Sequence, residues 1–263
     1  MPTLPDIRGL LVDLDGTLYQ GDKAIPGAAE ALAGMGRRGI PHCFVTNVTS
    51  RPLSAIVQQL TTMGLNVPAE QIFSAPRAAA TLLLGRGYRR CHFLLRPTLL
   101  EDFPDIEATD DKPHAVVVGD LGDGFTFARL NAAFRFVLDG AALITLARNR
   151  FFRAADGLSL DVGPFVAALE YATQTQATLV GKPSSAFFGP ALAYLGVSPA
   201  EAAVVGDDIE GDVGGAQSAG MRGVLVRTGK FRPDTLQKSS VRPDLVIDSL
   251  ADISGAIRSI RSS

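Results

Sequence analysis

The sequence predicts an α/β fold with a doubly wound parallel sheet, and three observations predict it. Segments typical of strands and helices alternate along the chain, the strand segments are apolar on both faces, and polar residues directly follow several of them. Continuous apolar runs are typical of parallel strands because helices cover both faces of such a sheet. The 263 residues are 46% apolar, which is enough for a sizeable core.

The alternation of strands and helices runs through the whole chain. Short β-branched and aliphatic runs predict the strands, and apolar residues three or four positions apart predict the helices. Gly39 is placed to end the first helix, and Pro52 to open the second. The predicted strands are residues 9–14, 42–46, 91–95, 115–118, 143–146, 202–205, 224–226 and 245–247. The predicted helices are residues 26–38, 50–60, 75–84, 127–137, 164–171 and 184–195, one that ends at residue 220, and one that reaches residue 260.

The motifs that carry chemistry lie towards the two ends of the chain, which predicts an inserted middle domain. We expect a core domain made of residues 1–78 and 180–263, with an α/β domain inserted at residues 79–179. The chain has no repeat of fixed period and no low-complexity segment, so solenoid and fibrous folds are excluded.

The composition argues against several classes of function. The formal net charge is −2, and no run of Lys and Arg is dense enough to follow a nucleic-acid backbone. No apolar run approaches the roughly 18–20 residues of a membrane span, and the N-terminus lacks the pattern of a signal peptide. Cys43 and Cys91 lack Cys-x-x-Cys spacing and the histidines lack metal-ligand spacing, so neither a disulfide nor a zinc site is expected. We therefore expect a soluble, cytoplasmic protein.

Polar residues follow four of the apolar runs, and open α/β sheets bind ligands beyond the carboxyl ends of their strands. Chance placement would scatter such residues along the strands, so we expect one crevice that collects them. The residues concerned are Asp13 and Asp15, Thr46 and Asn47, Lys182 after the short run at 177–180, and Asp207 and Asp208.

The segment Asp13-Leu14-Asp15-Gly16-Thr17 is the most informative of these. A carboxylate at the end of a buried strand is costly to ionise, and a second one two residues away repels it. A divalent cation resolves both problems, and oxygen ligands suit Mg²⁺. Asp13 could then attack phosphorus as a nucleophile, and Asp15 could act as the general acid and base.

The dipeptide Asp15-Gly16 has two other interpretations. The dipeptide is typical of a β-hairpin turn, and for this segment alone that interpretation stays open. A calcium-binding loop is excluded, because the glycine comes too early and Ala24 stands at the twelfth position, where a Glu is needed.

A second acidic segment, residues 206–212, follows another apolar strand. Acids often collect at a helix N-terminus to suit the helix dipole, which explains Asp208 and Asp212 but explains Asp207 poorly. We interpret Asp207 as a metal ligand, and Asp208 and Asp212 as groups that support the ligands or cap the helix.

Thr46, Asn47 and Lys182 can neutralise and position a phosphoryl group, which is most of what phosphoryl transfer needs. Taken singly, the first two are ordinary loop caps after a strand, and Lys182 an ordinary surface lysine. The chain lacks Gly-x-x-x-x-Gly-Lys-Ser/Thr and also lacks Gly-x-Gly-x-x-Gly after its first strand. Kinase and dehydrogenase functions therefore lose their main support.

With these four motifs in this order, the chain resembles the haloacid dehalogenase superfamily of phosphatases over nearly its whole length. The insertion between Asn47 and Lys182 resembles the α/β (C2-type) cap of the p-nitrophenylphosphatase-like branch, on a Rossmann-like core. Further likeness is carried by residues 158–164, 168–172, 206–220 and 226–233.

The resemblance implies a role for each motif. Asp13 would be the nucleophile, Asp15 the acid and base, and Thr46, Asn47 and Lys182 would hold the phosphoryl group. Mg²⁺ would be bound by the Asp13 side chain, the Asp15 main-chain carbonyl and the Asp207 side chain. Two members of the branch resemble each other in having serine where this chain has Asp15. The carboxylate favours substrates with poor leaving groups.

The sequence thus predicts a Mg²⁺-dependent phosphatase of small intracellular substrates (phosphomonoesters, phosphoamides or pyrophosphate) that forms an aspartyl-phosphate. A phosphotransferase or mutase with the same intermediate stays open, whereas the carboxylate of Asp15 argues against a non-catalytic phospho-ligand-binding module. By analogy, a homodimer through the cap is expected. Candidate substrate contacts in the insertion are Asp120, Asn149, Arg150 and Phe151, although the basic residues at 148–153 fit a solvated edge or a subunit contact equally well.

Overall fold

The structure, a computed structural model, describes Leu4, residues 6–154 and residues 157–257. Contacts divide the chain into two compact units, and the predicted insertion falls inside the second of them. The first unit comprises Met1–Thr46, Ile56–Phe73 and Lys182–Ser263, and the second comprises Asn47–Ala55 and Ser74–Gly181.

Strands and helices alternate as the apolar runs predict, and the predicted α/β class is confirmed. The strands are β1 Gly9–Asp13, β2 Tyr19–Gln20, β3 Lys23–Ala24, β4 His42–Thr46, β5 Ile72–Ser74, β6 Arg90–Leu94, β7 Glu107–Ala108, β8 Ala115–Val118, β9 Ala142–Thr145, β10 Phe151–Ala154, β11 Gly157–Leu160, β12 Thr178–Leu179, β13 Ala202–Gly206, β14 Arg222–Val226 and β15 Leu245–Ile247. The α-helices are α1 Ala28–Arg37, α2 Leu53–Thr62, α3 Ala75–Gly85, α4 Phe127–Leu138, α5 Val162–Thr173, α6 Ser185–Leu195, α7 Gly215–Ser218, α8 Pro233–Lys238 and α9 Ile253–Ala256.

The first unit is built on a six-stranded sheet of order β15-β14-β13-β1-β4-β5. The central strand β1 is parallel to both of its neighbours, with Leu10 opposite Ala203 of β13 and His42 of β4. Every residue of β1 and β13 is buried, as expected for strands covered on both faces. Phe187 and Phe188 of α6 are among the largest buried side chains of this unit.

The second unit has its own parallel sheet of order β12-β9-β8-β6-β7. Its core packs α4 and α5 against β8 through apolar side chains such as Val116, Val137 and Val166. β12 corrects one sequence prediction, because the run at residues 177–180 pairs with β9 and not with a strand of the six-stranded sheet. Lys182 therefore does not follow a strand of the sheet that carries Asp13. The antiparallel hairpin of β10 and β11 was not predicted.

The predicted helix that ends at Gly220 is also different in the structure. A π-helix, Ile209–Gly214, comes first and is followed by the short α7. Glycines at 211, 214 and 215 weaken the preference for an α-helix there, and π-helical turns are frequent at functional sites.

Within the described residues, the last predicted helix is shorter than expected. α9 ends at Ala256, and residues 258–260 of that prediction lie outside the part of the chain that the structure describes. Among the helices that are described, none combines the length and apolar character needed to cross a membrane.

Candidate active site

Two neighbouring strands bring the first two carboxylates together. Asp13 is the last residue of β1, and Asp207 directly follows β13. The strands are parallel, with Val12 opposite Val205, so both acids leave the sheet at the same edge. Both side chains are buried, Asp13 being 5% exposed and Asp207 3%.

Lys182 bridges two acids at this edge. Its Nζ lies 2.5 Å from Oδ1 of Asp13 and 2.7 Å from Oδ1 of Asp212. The other oxygen of Asp212 accepts the backbone N–H of Asp208 at 3.1 Å. Gly206 leaves the space for this carboxylate, because a Cβ at that position would lie 2.1 Å from Oδ2 of Asp212. The π-helix thus turns Asp212 back towards the end of β13.

We call Asp13, Asp207, Asp212 and Lys182 the acidic cluster; all four are buried, and their formal charges sum to −2. One oxygen of each carboxylate lies within 4.8 Å of the others. Burial raises the pKa of Asp13 to about 7, an effect that Lys182 opposes and Asp212 reinforces. Burial, together with the charges of Asp13 and Asp212, raises the pKa of Asp207 to about 8. Burial alone would lower the pKa of Lys182, but the two acids it bridges hold that pKa above its usual value.

The donor set of the acidic cluster fits a hard divalent cation. Its available ligand atoms are carboxylate oxygens, which Mg²⁺ prefers, and a charge of +2 cancels the formal charge of the cluster. Both oxygens of Asp212 already accept N–H donors, from Lys182 and Asp208. The Oδ2 of Asp13 has a longer contact, 3.4 Å from the hydroxyl of Thr17, so Asp13 and Asp207 are better placed than Asp212 to hold a cation.

The turn after β1 places Asp15 in a different environment from Asp13. Gly16 has a positive φ of 89° and donates its N–H to the carbonyl of Tyr19 at 2.7 Å. Asp15 is exposed, whereas Thr17 is buried and donates its hydroxyl to Oδ2 of Asp13 at 3.4 Å. The hairpin interpretation of Asp15-Gly16 is wrong, because the antiparallel hairpin is formed further along by β2 and β3. An exposed acid beside a buried one is suited to exchanging protons with a substrate and with water.

Thr46 ends β4 and is buried; its neighbour Val45 is opposite Asp13 in the sheet register. Asn47 is the first residue of the second unit. Within that unit, a Cβ at Gly181 would lie 2.6 Å from Oδ1 of Asn47, so these two residues approach closely.

Asp208, which we interpreted as a supporting or capping group, begins the π-helix. Its Oδ1 accepts the N–H groups of Glu210 and Gly211 at 3.1 and 3.0 Å. Its Oδ2 also lies 3.1 Å from Nζ of Lys230. These contacts stabilise the turn that positions Asp212.

The candidate substrate contacts of the second unit have local partners. Asp120 accepts the N–H of Gly122 at 2.8 Å and pairs with Arg96 at 3.3 Å. The carbonyl of Asn149 accepts the N–H of Gly163 at 2.9 Å.

The other two candidates, Arg150 and Phe151, lie beside each other, with the guanidinium 5.7 Å from the ring centroid, and Phe151 is exposed. Among the nearby basic residues, Arg148 binds the buried Glu170 with both of its terminal nitrogens. Arg148 therefore packs within its own unit, and the side chain of Arg153 lies outside the described part of the chain.

Sequence reasoning missed the loop after β14. The N–H of Lys230 donates to Oδ2 of Asp207 at 2.6 Å, and the hydroxyl of Thr228 donates to the carbonyl of Gly16 at 2.5 Å. The sequence signal at this loop is a Thr-Gly pair that begins two residues after β14, but such a pair is also typical of an ordinary turn.

Comparison with known proteins follows the same motifs. A family model described as haloacid dehalogenase-like hydrolase matches residues 10–108, and one described as HAD-hydrolase-like matches residues 179–253. Haloacid dehalogenase-like hydrolase domain-containing protein 2 of Bos taurus is 42% identical over 249 residues, which cover 95% of this chain and 95% of that protein. The chain belongs to the haloacid dehalogenase-like hydrolase family.

Other relatives and solved structures of this family are named phosphatases. The phospholysine phosphohistidine inorganic pyrophosphate phosphatase of Danio rerio is 39% identical over 263 residues, covering 98% of this chain and 95% of that protein. The 4-nitrophenylphosphatase of Thermotoga maritima matches with a TM-score of 0.90 and 28% identity, over 96% of this chain and 98% of that one. The p-nitrophenyl phosphatase of Archaeoglobus fulgidus matches with a TM-score of 0.89 and 29% identity, over 96% of this chain and 100% of that one. The prediction of a phosphatase of this family is confirmed.

Proposed function

We propose that this phosphatase hydrolyses small phosphorylated molecules with Mg²⁺, through a phosphoryl group carried on Asp13. One observation carries the proposal: a buried aspartate ends the central strand, held by a buried lysine in a cluster whose formal charge is −2. A divalent cation would keep such a group ionised at neutral pH, and an ionised carboxylate there is an activated nucleophile.

The reaction has two displacements at phosphorus. In the first, the Asp13 carboxylate bonds to phosphorus, the bond to the leaving oxygen or nitrogen breaks, and Asp15 gives its proton to the leaving atom. In the second, water bonds to phosphorus, passes a proton to Asp15, and the bond between Asp13 and phosphorus breaks to release phosphate. The exposure of Asp15 supports its role as the group that exchanges protons.

The surrounding residues position the charges of the reaction. We assign Mg²⁺ to the side chains of Asp13 and Asp207 and to the main-chain carbonyl of Asp15; it would offset charge on the phosphoryl oxygens. Lys182 neutralises further charge, and Asp212 orients its ammonium. Thr46 and Asn47 are proposed as donors to phosphoryl oxygens because Thr46 ends β4, the strand next to β1, and Asn47 follows it.

The substrate class is proposed from the relatives and from Asp15. The name of one relative includes phospholysine, phosphohistidine and inorganic pyrophosphate, and two of the solved structures are named 4-nitrophenylphosphatase and p-nitrophenyl phosphatase. A carboxylic acid at position 15 favours substrates whose leaving group needs a proton, such as alkyl phosphomonoesters. A panel of metabolite phosphates, phosphoamides and pyrophosphate would identify the class by phosphate release. Release without an added acceptor would separate a hydrolase from a phosphotransferase or mutase.

Asp13→Asn tests the proposal directly. The variant should fold normally and lose activity by about a thousandfold or more, because an uncharged amide replaces the nucleophilic carboxylate. In the wild type, acid quenching during turnover should trap a phosphoryl adduct on the peptide that contains Asp13, detected by its added mass. Full activity in Asp13→Asn would reject the assignment.

The metal is tested separately with chelator. Excess EDTA should abolish phosphate release, Mg²⁺ should restore it, and Ca²⁺ should not, because Ca²⁺ adopts longer bonds and looser geometry. Robust turnover in EDTA would reject a Mg²⁺ site. Dimerisation through the insertion, its part in substrate selection and a cytoplasmic location stay predictions.

A further inference from the structure

Residues 228–230, which we call the clamp loop, contact both segments of the candidate metal site, the turn after β1 and Asp207 after β13. Thr228 Oγ1 donates to the main-chain carbonyl of Gly16 at 2.5 Å, one residue beyond Asp15. The N–H of Lys230 donates to Oδ2 of Asp207 at 2.6 Å. The clamp loop therefore ties the turn after β1 to the carboxylate after β13.

Two glycines close around Asp207 where the clamp loop meets the turn. A Cβ on Gly16 would lie 1.9 Å from Oδ2 of Asp207, and a Cβ on Gly229 would lie 2.0 Å from the same atom. The Cβ on Gly229 would also lie 2.5 Å from the Cα of Gly16. Gly229 has a positive φ of 57°, which glycine adopts without strain. The carboxylate of Asp207 is thus enclosed by backbone on two sides.

The clamp loop is itself fixed at both ends. Before it, the N–H of Arg227 donates to the carbonyl of Ile247 at 3.0 Å, which continues the pairing of β14 with β15. After it, Phe231 packs against the apolar cluster of Ile209, Val213 and Leu225. Because both anchors belong to the sheet and the π-helix, the clamp loop can hold Asp207 in one orientation.

We propose that Thr228 and Gly229 are positioning residues that set the affinity of the site for Mg²⁺. The inference rests on the proposed function, since it assumes that Asp207 and the Asp15 carbonyl bind the cation. Without the clamp loop, Asp207 would rotate away from the other carboxylates of the acidic cluster, which repel it, and binding would have to reverse that rotation. Groups that orient metal ligands typically contribute about 10–100-fold to metal affinity.

Two variants test the two contacts. Thr228→Val removes the hydroxyl at nearly constant shape, and Gly229→Ala places a methyl group against Asp207. Both should weaken Mg²⁺ binding about 10–100-fold in titration calorimetry, which needs no substrate. In activity assays, the Mg²⁺ concentration for half-maximal rate should rise by the same factor, while kcat at saturating Mg²⁺ falls less.

The chain offers matched controls for both variants. Thr228→Ser keeps the donor, so it should bind Mg²⁺ more tightly than Thr228→Val. Gly21→Ala repeats the backbone change at a φ of 59° with no atom within 4 Å of the new methyl, so Mg²⁺ affinity should not change. Urea unfolding in EDTA measures the general stability of each variant. If Gly229→Ala fails to fold, the Val and Ser variants of Thr228 still decide the question.

The outcomes separate this inference from the proposed function. If the wild type binds no Mg²⁺, the proposed metal site fails. If the wild type binds Mg²⁺ and Thr228→Val binds it as tightly, the clamp loop has no positioning role. Equal weakening in Thr228→Val and Thr228→Ser would also overturn the inference, because the hydroxyl would then be irrelevant.

Discussion

The Nζ of Lys182 lies 2.5 Å from Oδ1 of Asp13, although 169 positions separate the two residues in the sequence. Both side chains are buried, and the same ammonium also contacts Asp212. Truncating one partner of a buried ion pair leaves the other as an uncompensated buried charge, which is more costly than losing the contact itself. The pair therefore couples the stability of the fold to the chemistry of the site.

Lys182→Met should reduce both stability and activity. At pH 8 in EDTA, the free energy of unfolding should fall by about 3–5 kcal/mol, as when a buried pair is broken. Mg²⁺ should recover part of that loss, and phosphate release should fall by about a hundredfold or more. Urea unfolding with and without Mg²⁺ measures the first effect. Lys238→Met, at an exposed lysine of the same unit, should leave both quantities unchanged. A variant as stable as the wild type in EDTA would show that the pair does not stabilise the fold.

The Mg²⁺-free protein should lose stability as the pH rises from about 4 to about 8. The pKa values of Asp13 and Asp207 are raised in the folded protein, to about 7 and about 8, because burial disfavours their ionised forms. Between the usual carboxyl pKa of about 3.9 and those values, the folded protein binds more protons than the unfolded chain. Stability therefore falls across this window. Thermal unfolding in EDTA at pH 5 and pH 8 measures the fall.

Asp207→Asn is the control for this pH effect. It removes one of the two groups whose pKa is raised by burial, so stability should fall less from pH 5 to pH 8 than in the wild type. Mg²⁺ should also remove the fall in the wild type, because a bound cation keeps the acids ionised. If the wild type and Asp207→Asn lost the same stability between pH 5 and pH 8, the raised pKa of Asp207 would not be a cause of the pH effect.

Asp15→Asn should affect substrates according to their leaving groups. Alkyl phosphates need a proton on the departing oxygen and should slow by about 10²–10⁴-fold, the usual contribution of general acid catalysis. Aryl phosphates such as p-nitrophenyl phosphate should slow much less, because nitrophenolate leaves without a proton. Asp15 also serves the second displacement, which both substrates share, so the comparison is made on the first displacement alone, by single-turnover release of the leaving group. Asp22→Asn, another exposed acid, should change neither rate. Equal losses on the two classes would exclude Asp15 as the proton donor.

The meeting of Asp13 and Asp207 follows from the sequence by topology. Each acid ends an apolar run, and parallel neighbouring strands open at one edge of the sheet. Lys182 is predicted at the same edge because it follows an apolar run. That reason is wrong, since the run is a strand of the other parallel sheet. Two-residue strands carry too few side chains to reveal which sheet they join.

The clamp loop and the contact between Asp212 and Lys182 could not be predicted in the same way. A Thr-Gly pair after a strand is typical of an ordinary turn, and its bond to Gly16 depends on the register of β13 and β14. Asp212 reaches Lys182 because residues 209–214 form a π-helix, whereas acids at that spacing predict an ordinary helix N-terminus.

Glu170→Gln should destabilise the second unit without altering catalysis by folded molecules. Glu170 is 7% exposed, binds the guanidinium of Arg148 through both oxygens, and accepts the N–H of Ala177 at 2.9 Å. The amide keeps one acceptor but loses the charge, so the free energy of unfolding should fall by about 1.5–3 kcal/mol, the usual range for hydrogen bonds to charged groups. Urea unfolding measures this, with Glu107→Gln as the control, because Glu107 pairs with Arg90 at 3.9 Å on an exposed strand and should contribute under about 0.5 kcal/mol. Unchanged stability in Glu170→Gln would show that the charge of Glu170 does not stabilise the second unit.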